Sequence, residues 1–172
     1  MAVARRCRFG QPQALVTSAL RESAAAIAPF PTLFWLTCPH IREAVGALEN
    51  GGMIGRMREK LRRDEEFRTD YVNANRDYAH RREAILEQLD SAWREKVSAD
   101  MAGVITHAGV GGLVNLEGVK CIHMHVAHWL ATEDNPIGRE AVATMCGDGG
   151  PGLECHDGRC ARHRVKEPRA TE

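Results

Sequence analysis

From Asp64 to Lys96 the chain runs thirty-three residues without a proline or a glycine, and Phe67, Tyr71, Ala74, Tyr78, Ile85, Leu89 and Ala92 recur three, four or seven apart within it. Side chains three and four apart share one face of a helix, so the spacing predicts one long amphipathic helix, or two with a break. Gly55 to Lys96 carries eleven basic and ten acidic residues, an ordinary solvated face opposite the apolar stripe. A helix of this kind must cover its stripe, against the rest of the chain or, as a coiled-coil partner, against another. With 172 residues, the rest is large enough to supply one core.

The segments around it supply other elements. Cys7 to Val16 reads as a turn followed by a short strand, and Thr32 to Thr37 has the density of a buried strand behind Pro29 and Pro31. The two can pair as a small sheet, with the alanine-rich piece around Ala24 to Ala28 between them. At Thr37-Cys38-Pro39-His40 the period changes. Proline suits the first helical position, which makes Cys38 the N-cap. Ile41, Val45 and Leu48 follow at helical spacing, Asn50-Gly51-Gly52 stops the helix, and a second begins near Met53. Ala102 to Gly118 is glycine-rich and poorly periodic, and reads as a loop with a short strand at Val104-Ile105. Another helix is expected from Val119 to Thr132, ending at Asp134-Asn135-Pro136. Past Cys146 the composition shifts to Gly, Pro, Cys, Asp and Arg, a tail without its own core.

Lys120 to His128 holds one cysteine and three histidines. At about 100° per residue, Cys121, His125 and His128 lie within roughly 60° of arc. Three such donors with a fourth from elsewhere are what tetrahedral zinc needs. His123 points away from that face, as a core histidine or as a ligand from the helix edge. Cys38 is the fourth donor of choice, because a helix N-terminus lowers a thiol's pKa and ligation uses the thiolate. Cys121 gains in the same way. Against this stands the plainer reading that free cysteines and lone helical histidines are usually buried core residues. The tail adds Cys146, Cys155, His156, Cys160 and His163, in a spacing that matches no standard zinc finger. Cys155 and Cys160 either fold back to join Cys38 and Cys121, which suits zinc or an iron–sulfur cluster, or belong to a disordered end.

Other signals are weaker. The 23 basic and 23 acidic residues balance, so nothing global points to nucleic acid or an anionic membrane. Local basic clusters at Arg5 to Arg8, Arg56 to Arg63 and Arg159 to Arg169 lack interleaved aromatics for base stacking. No apolar run reaches the roughly 20 residues of a membrane helix. Ala24 to Cys38 imitates a signal peptide, but Pro29 and Pro31 interrupt it, so the cysteines are read as those of an unexported protein. Gly109-Val110-Gly111-Gly112 is a tight turn rather than an anion cradle, having neither the lysine nor the hydroxyl of a phosphate loop. Nothing fixes His107, Asp148 or Asp157 near a reactive group.

Pro29-Phe30-Pro31-Thr32-Leu33-Phe34-Trp35-Leu36-Thr37-Cys38-Pro39, Gly111-Gly112, Val119-Lys120-Cys121-Ile122-His123 and Asn135-Pro136-Ile137-Gly138 together resemble an uncharacterised bacterial family catalogued only as a domain of unknown function, number five hundred and one. The resemblance runs from about Cys7 to Gly138. It implies a bacterial, cytosolic protein in which Cys38, Cys121 and His123 occupy motif positions, and it names no reaction.

The expected fold is α+β, mostly helical, with a small N-terminal sheet: a metal-binding domain over 1–145 and a tail over 146–172. The leading functional expectation is a zinc site drawn from Cys38, Cys121, His123, His125, His128, Cys155 and Cys160, structural, or hydrolytic if one position stays open. The alternatives are an iron–sulfur or redox protein using Cys38, Cys121, Cys155 and Cys160, and a metal-free interaction protein acting through its long charged helix. Substrate, partner and oligomeric state are not readable; a homo-oligomer is compatible.

Overall fold

The computed structural model describes residues 1–22, 27–158 and 160. Five strands come first: β1 (Ala2–Arg6), β2 (Pro12–Val16), β3 (Leu20–Glu22), β4 (Ile27–Pro29) and β5 (Phe34–Leu36). Helices follow: α1 (Pro39–Asn50), α2 (Met53–Arg63), α3 (Glu65–Leu89), a 3-10 turn (Trp93–Lys96), α4 (Ala99–His107), α5 (Ile122–Thr132) and α6 (Pro136–Cys146). The protein is a mostly helical α+β domain with a small antiparallel sheet near its N-terminus. None of the described helices is long and apolar enough to cross a membrane.

The expected pairing of the two N-terminal segments is present. β2 runs antiparallel to β5, with Ala14 opposite Leu36 and Val16 opposite Phe34. Along β5 burial alternates as the pleat dictates: Phe34 and Leu36 face the core, and Trp35 faces outward, 47% exposed. β1 is added on the other side of β2, giving the order β1-β2-β5. Arg5 and Arg6 had obscured it as a strand, yet an exposed edge strand tolerates charge. β3 and β4 pair separately. Of the alanine-rich piece, residues 23–26 lie outside the described residues.

α1 and α2 start and stop where proline and glycine dictate. Cys38 is the N-cap of α1 with Pro39 at its first position, and Gly52, at φ +81°, takes the left-handed conformation between the helices. Asp64 caps α3, its carboxylate accepting from the Phe67 N–H at 2.9 Å. The apolar stripe of α3 follows the expected Phe67, Tyr71, Ala74 and Tyr78, and then departs from it. Beyond Tyr78 the buried residues are Ala79, Arg82 and Leu86, while Leu89 is 69% exposed.

Arg82 explains the departure. Fully buried, it donates to the carbonyls of Ile105 (2.7 Å), Pro31 (2.9 Å), Val104 (3.1 Å) and Ala108 (2.6 Å). Three of these carbonyls belong to the end of α4, where the helix leaves its acceptors unpaired and its dipole favours a cation. Burial lowers the Arg82 pKa to about 10. The expected strand at Val104-Ile105 is therefore a helix, capped by Ser98 at its start and by a guanidinium from α3 at its end. Its C-terminal signal lies twenty-two residues upstream of Val104, beyond the reach of local reading.

The turn after α4 is a turn, as its glycines suggested. Its Gly111 and Gly112 carbonyls accept from Lys120 at 3.1 and 3.2 Å, so a cation, not an anion, sits against it. Gly138 sets the approach of α6 to α5: a Cβ there would lie 2.3 Å from the His125 carbonyl oxygen. Phe34, Ile41, Val45, Met57, Tyr71, Tyr78, Ile122, Val126 and Ile137 share the main core, and Trp93, Leu86 and Ile105 form a smaller one beneath β3 and β4. Self-packing thus uses the α3 stripe. The Arg56 to Arg63 cluster is spent locally: Arg62 and Arg63 pair with Glu59, Lys60 with Glu140, and Arg58 caps the Val119 carbonyl.

Candidate metal centre

The start of α5 meets the last turn of α1. Cys121 is the N-cap of α5, and its side chain makes no capping hydrogen bond. That role falls to Glu49 of α1, whose Oε1 accepts from the Ile122 N–H at 2.5 Å. The same oxygen lies 3.2 Å from His123 Nδ1. Glu49, Cys121 and His123 each offer a ligand atom, and all three atoms lie within 4.8 Å of one another. Among the described residues, this is the group of three ligand atoms that already lie so close together.

The second ring nitrogen of His123 matters as much as the first. Nε2 lies 3.2 Å from the Arg42 carbonyl, which can only accept, so Nε2 carries the hydrogen. With the ring neutral, Nδ1 then presents its lone pair to the space shared by the carboxylate and the sulfur. Histidines that bind metals are oriented in this way by an acceptor on the other nitrogen.

Burial pushes the Cys121 thiol above its ordinary value, and the charge of Glu49 adds to this; the N–H groups of Met124 and His123 and the Lys120 ammonium oppose it without prevailing. Cys38 is also raised, burial outweighing the N–H groups of Ile41 and His40. The helix-start argument, which predicted lowered thiol pKa values at both positions, had the sign of one contribution right and missed the larger one.

Cys121 and His123 line a cleft of about 360 Å³ together with Phe34, Trp35, Leu36, Arg42 and Met124. Its walls are mainly apolar, from β5 and Met124, and Arg42 is the cationic side chain among them.

The other expected ligands are placed elsewhere. His125 and His128 are buried in the core, their Nδ1 atoms 3.3 and 3.0 Å from Asn135 Nδ2. Asn135 Oδ1 accepts from the Gly138 N–H at 2.8 Å, which fixes the amide's orientation and makes Nδ2 the donor to both rings. His125 Nε2 then faces Tyr71 Oη at 3.3 Å, and Tyr71 donates to the Gly118 carbonyl at 2.7 Å. His128 stacks on Phe34 with ring centroids 5.5 Å apart, while Tyr78 lies edge-on at 4.9 Å. Burial, the first cause for both, lowers each pKa to about 3, and both rings stay neutral. The helical-arc argument counts Cys121 at the 100° step, but Cys121 is extended, at φ −137° and ψ 150°, and lies off the helix it caps. Cys38, Cys155 and Cys160 are not members of the Glu49 group either. No disulfide joins the six cysteines. His163 and the basic cluster's Arg159, Arg162, Arg164, Lys166 and Arg169 lie outside the described residues.

Glu49 was the residue missed in the sequence. Its signal is a carboxylate in the last turn of α1, where the helix dipole disfavours it. Such a misplaced acid is explained by a partner, here the N-terminus of another helix.

A family model matches residues 3–143, and its description reads "Protein of unknown function (DUF501)". Neither the curated proteins nor the solved structures yield a match.

Proposed function

The chain belongs to the DUF501 family, whose description assigns no activity, and on that premise we propose from the geometry that it is a cytoplasmic zinc-binding protein using Glu49, Cys121 and His123. The observation that carries the reading is the convergence of three ligand atoms within 4.8 Å, with His123 Nε2 held by the Arg42 carbonyl. Carboxylate, thiolate and imidazole suit zinc, and three protein ligands leave the fourth tetrahedral position open.

Cys121 and His123, which would hold the ion, line the cleft beside β5. Zinc with an open position supplies a bound water whose pKa falls to about 7, so hydrolysis is the chemistry the site can support. The chain's own contribution is orientation and shielding. Arg42 aligns His123 through its carbonyl, Glu49 is fixed by the Ile122 N–H, and Phe34, Leu36 and Met124 exclude bulk water from one side.

A second reading draws on the 2.5 Å bond from Ile122 to Glu49: Glu49 is a helix cap, and its approach to His123 is an ion pair. The two separate on metal content. Untagged protein measured by elemental analysis should lose one equivalent of zinc in His123→Ala and Cys121→Ser. It should also lose it in Glu49→Gln, where the amide oxygen keeps the cap. Zinc content identical to wild type in all three variants would leave the cap and ion pair as the whole role of these residues.

A further inference from the structure

Segment 147–158 contains neither helix nor strand, yet it lies tightly against the fold. His40 Nε2 lies 3.1 Å from the carbonyls of both Pro151 and Gly152. Gln13 donates to the Leu153 carbonyl at 2.7 Å, the Arg8 guanidinium to the Cys155 carbonyl at 2.9 Å, and the Arg8 N–H to Glu154 at 3.0 Å. A Cβ added at Gly158 would lie 3.7 Å from the Phe9 ring. The segment is thus seated where the β1–β2 turn, which Cys7 opens, meets the start of α1, which Cys38 caps.

Cysteines from all three pieces are buried at this junction. Cys7 is 7% exposed, Cys38 5% and Cys155 4%. Cys38 is close enough to Cys155 and Cys160 for their charges to act on it. The turn Cys7-Arg8-Phe9-Gly10 closes by a 2.9 Å bond from the Gly10 N–H to the Cys7 carbonyl, with Gly10 at φ +73°. Gly158, at φ +56°, turns the chain between Cys155 and Cys160.

We propose that Cys7, Cys38, Cys155 and Cys160 form a tetrathiolate zinc site that clasps the C-terminal segment onto the β1–β2 turn and the start of α1. Zn²⁺ would bind as the four thiols release their protons to solvent, the usual composition of a closed structural site. Zinc–sulfur bonds of about 2.3 Å set the sulfurs about 3.8 Å apart. Among the described residues only the Glu49 group already lies within 4.8 Å, so binding draws these sulfurs together. The adjustment is local, since the hydrogen bonds of Arg8, Gln13 and His40 already hold segment 147–158 at the junction. The site is separate from that of Glu49 and does not depend on it.

The test uses the full untagged chain with Co²⁺ or Zn²⁺ alone as probe. Cobalt should give the visible absorption of a tetrahedral tetrathiolate. Cys155→Ser and Cys160→Ser should abolish it and remove one equivalent of zinc, whereas Cys146→Ser and His123→Ala should keep it. A thiol titration of wild-type protein needs no variant to fold: zinc should shield four cysteines besides Cys121, and chelation should then expose them. Unchanged metal content in both tail variants, thiols that react equally with and without zinc, disulfides in the reduced-purified protein, or an iron–sulfur chromophore would each overturn the assignment.

Discussion

Replacing His128 with glutamine should remove about 2 kcal/mol of the stability that the protein loses between pH 7 and pH 5. Burial is the main reason that the folded-state pKa of His128 falls from 6.5 to about 3, and the nearby charges of His125 and Arg81 push the same way. As the pH drops through 6.5, the unfolded chain takes up a proton at this position and the native protein does not. The stabilisation is therefore complete above pH 6.5 and declines toward pH 3. Each pH unit in that window costs about 1.4 kcal/mol, and 1.5 units separate 6.5 from 5. The result depends only on the native ring remaining neutral at pH 5. Its surroundings enforce that: Phe34 and Tyr78 flank the ring, Asn135 already donates to Nδ1, and Nε2 has no hydrogen-bond partner. Urea unfolding at both pH values, on wild type and His128→Gln, measures the difference of slopes, so any constant cost of the substitution cancels. Equal pH dependence in the two proteins would refute the reasoning, as would an NMR resonance of His128 that titrates between pH 5 and 7.

Arg82→Met should cost about 3 kcal/mol or more, because four carbonyls lose their donor and two of the four bonds are fully buried. Urea unfolding reads this, and a loss below about 1 kcal/mol would mean that the end of α4 finds other partners. Gly138→Ala should destabilise by about 1–3 kcal/mol, since its Cβ would stand 2.3 Å from the His125 carbonyl oxygen and 2.6 Å from Trp129 Cβ. An unchanged unfolding midpoint would show that α6 can slide away from α5 at no cost.

What could be read locally in the sequence was governed by local chemistry. Cys38-Pro39, Gly51-Gly52 and Asp64 fixed the ends of three helices because caps and breakers act within a few residues. The β2–β5 pairing followed from two apolar runs flanked by prolines. α4 was missed because its far end is held by Arg82, and α6 because Asn135-Pro136 was read as a stop when Asn135 is a cap and Pro136 a first helical residue. At the site, Cys121 and His123 were foreseen as donors. Their grouping was not, since it depends on Glu49, seventy-four residues from His123. The spacing of His125 and His128 is equally that of a polar core network, and the amide of Asn135 donates to both rings there.

Glu49 already has work to do before any ion arrives, since its bond to the Ile122 N–H holds the two helices in register. Were a metal to bind there as proposed, the centre could be emptied and refilled while the architecture around it stood still. Its occupancy would then follow the supply of metal in the cell, instead of deciding whether the chain is folded.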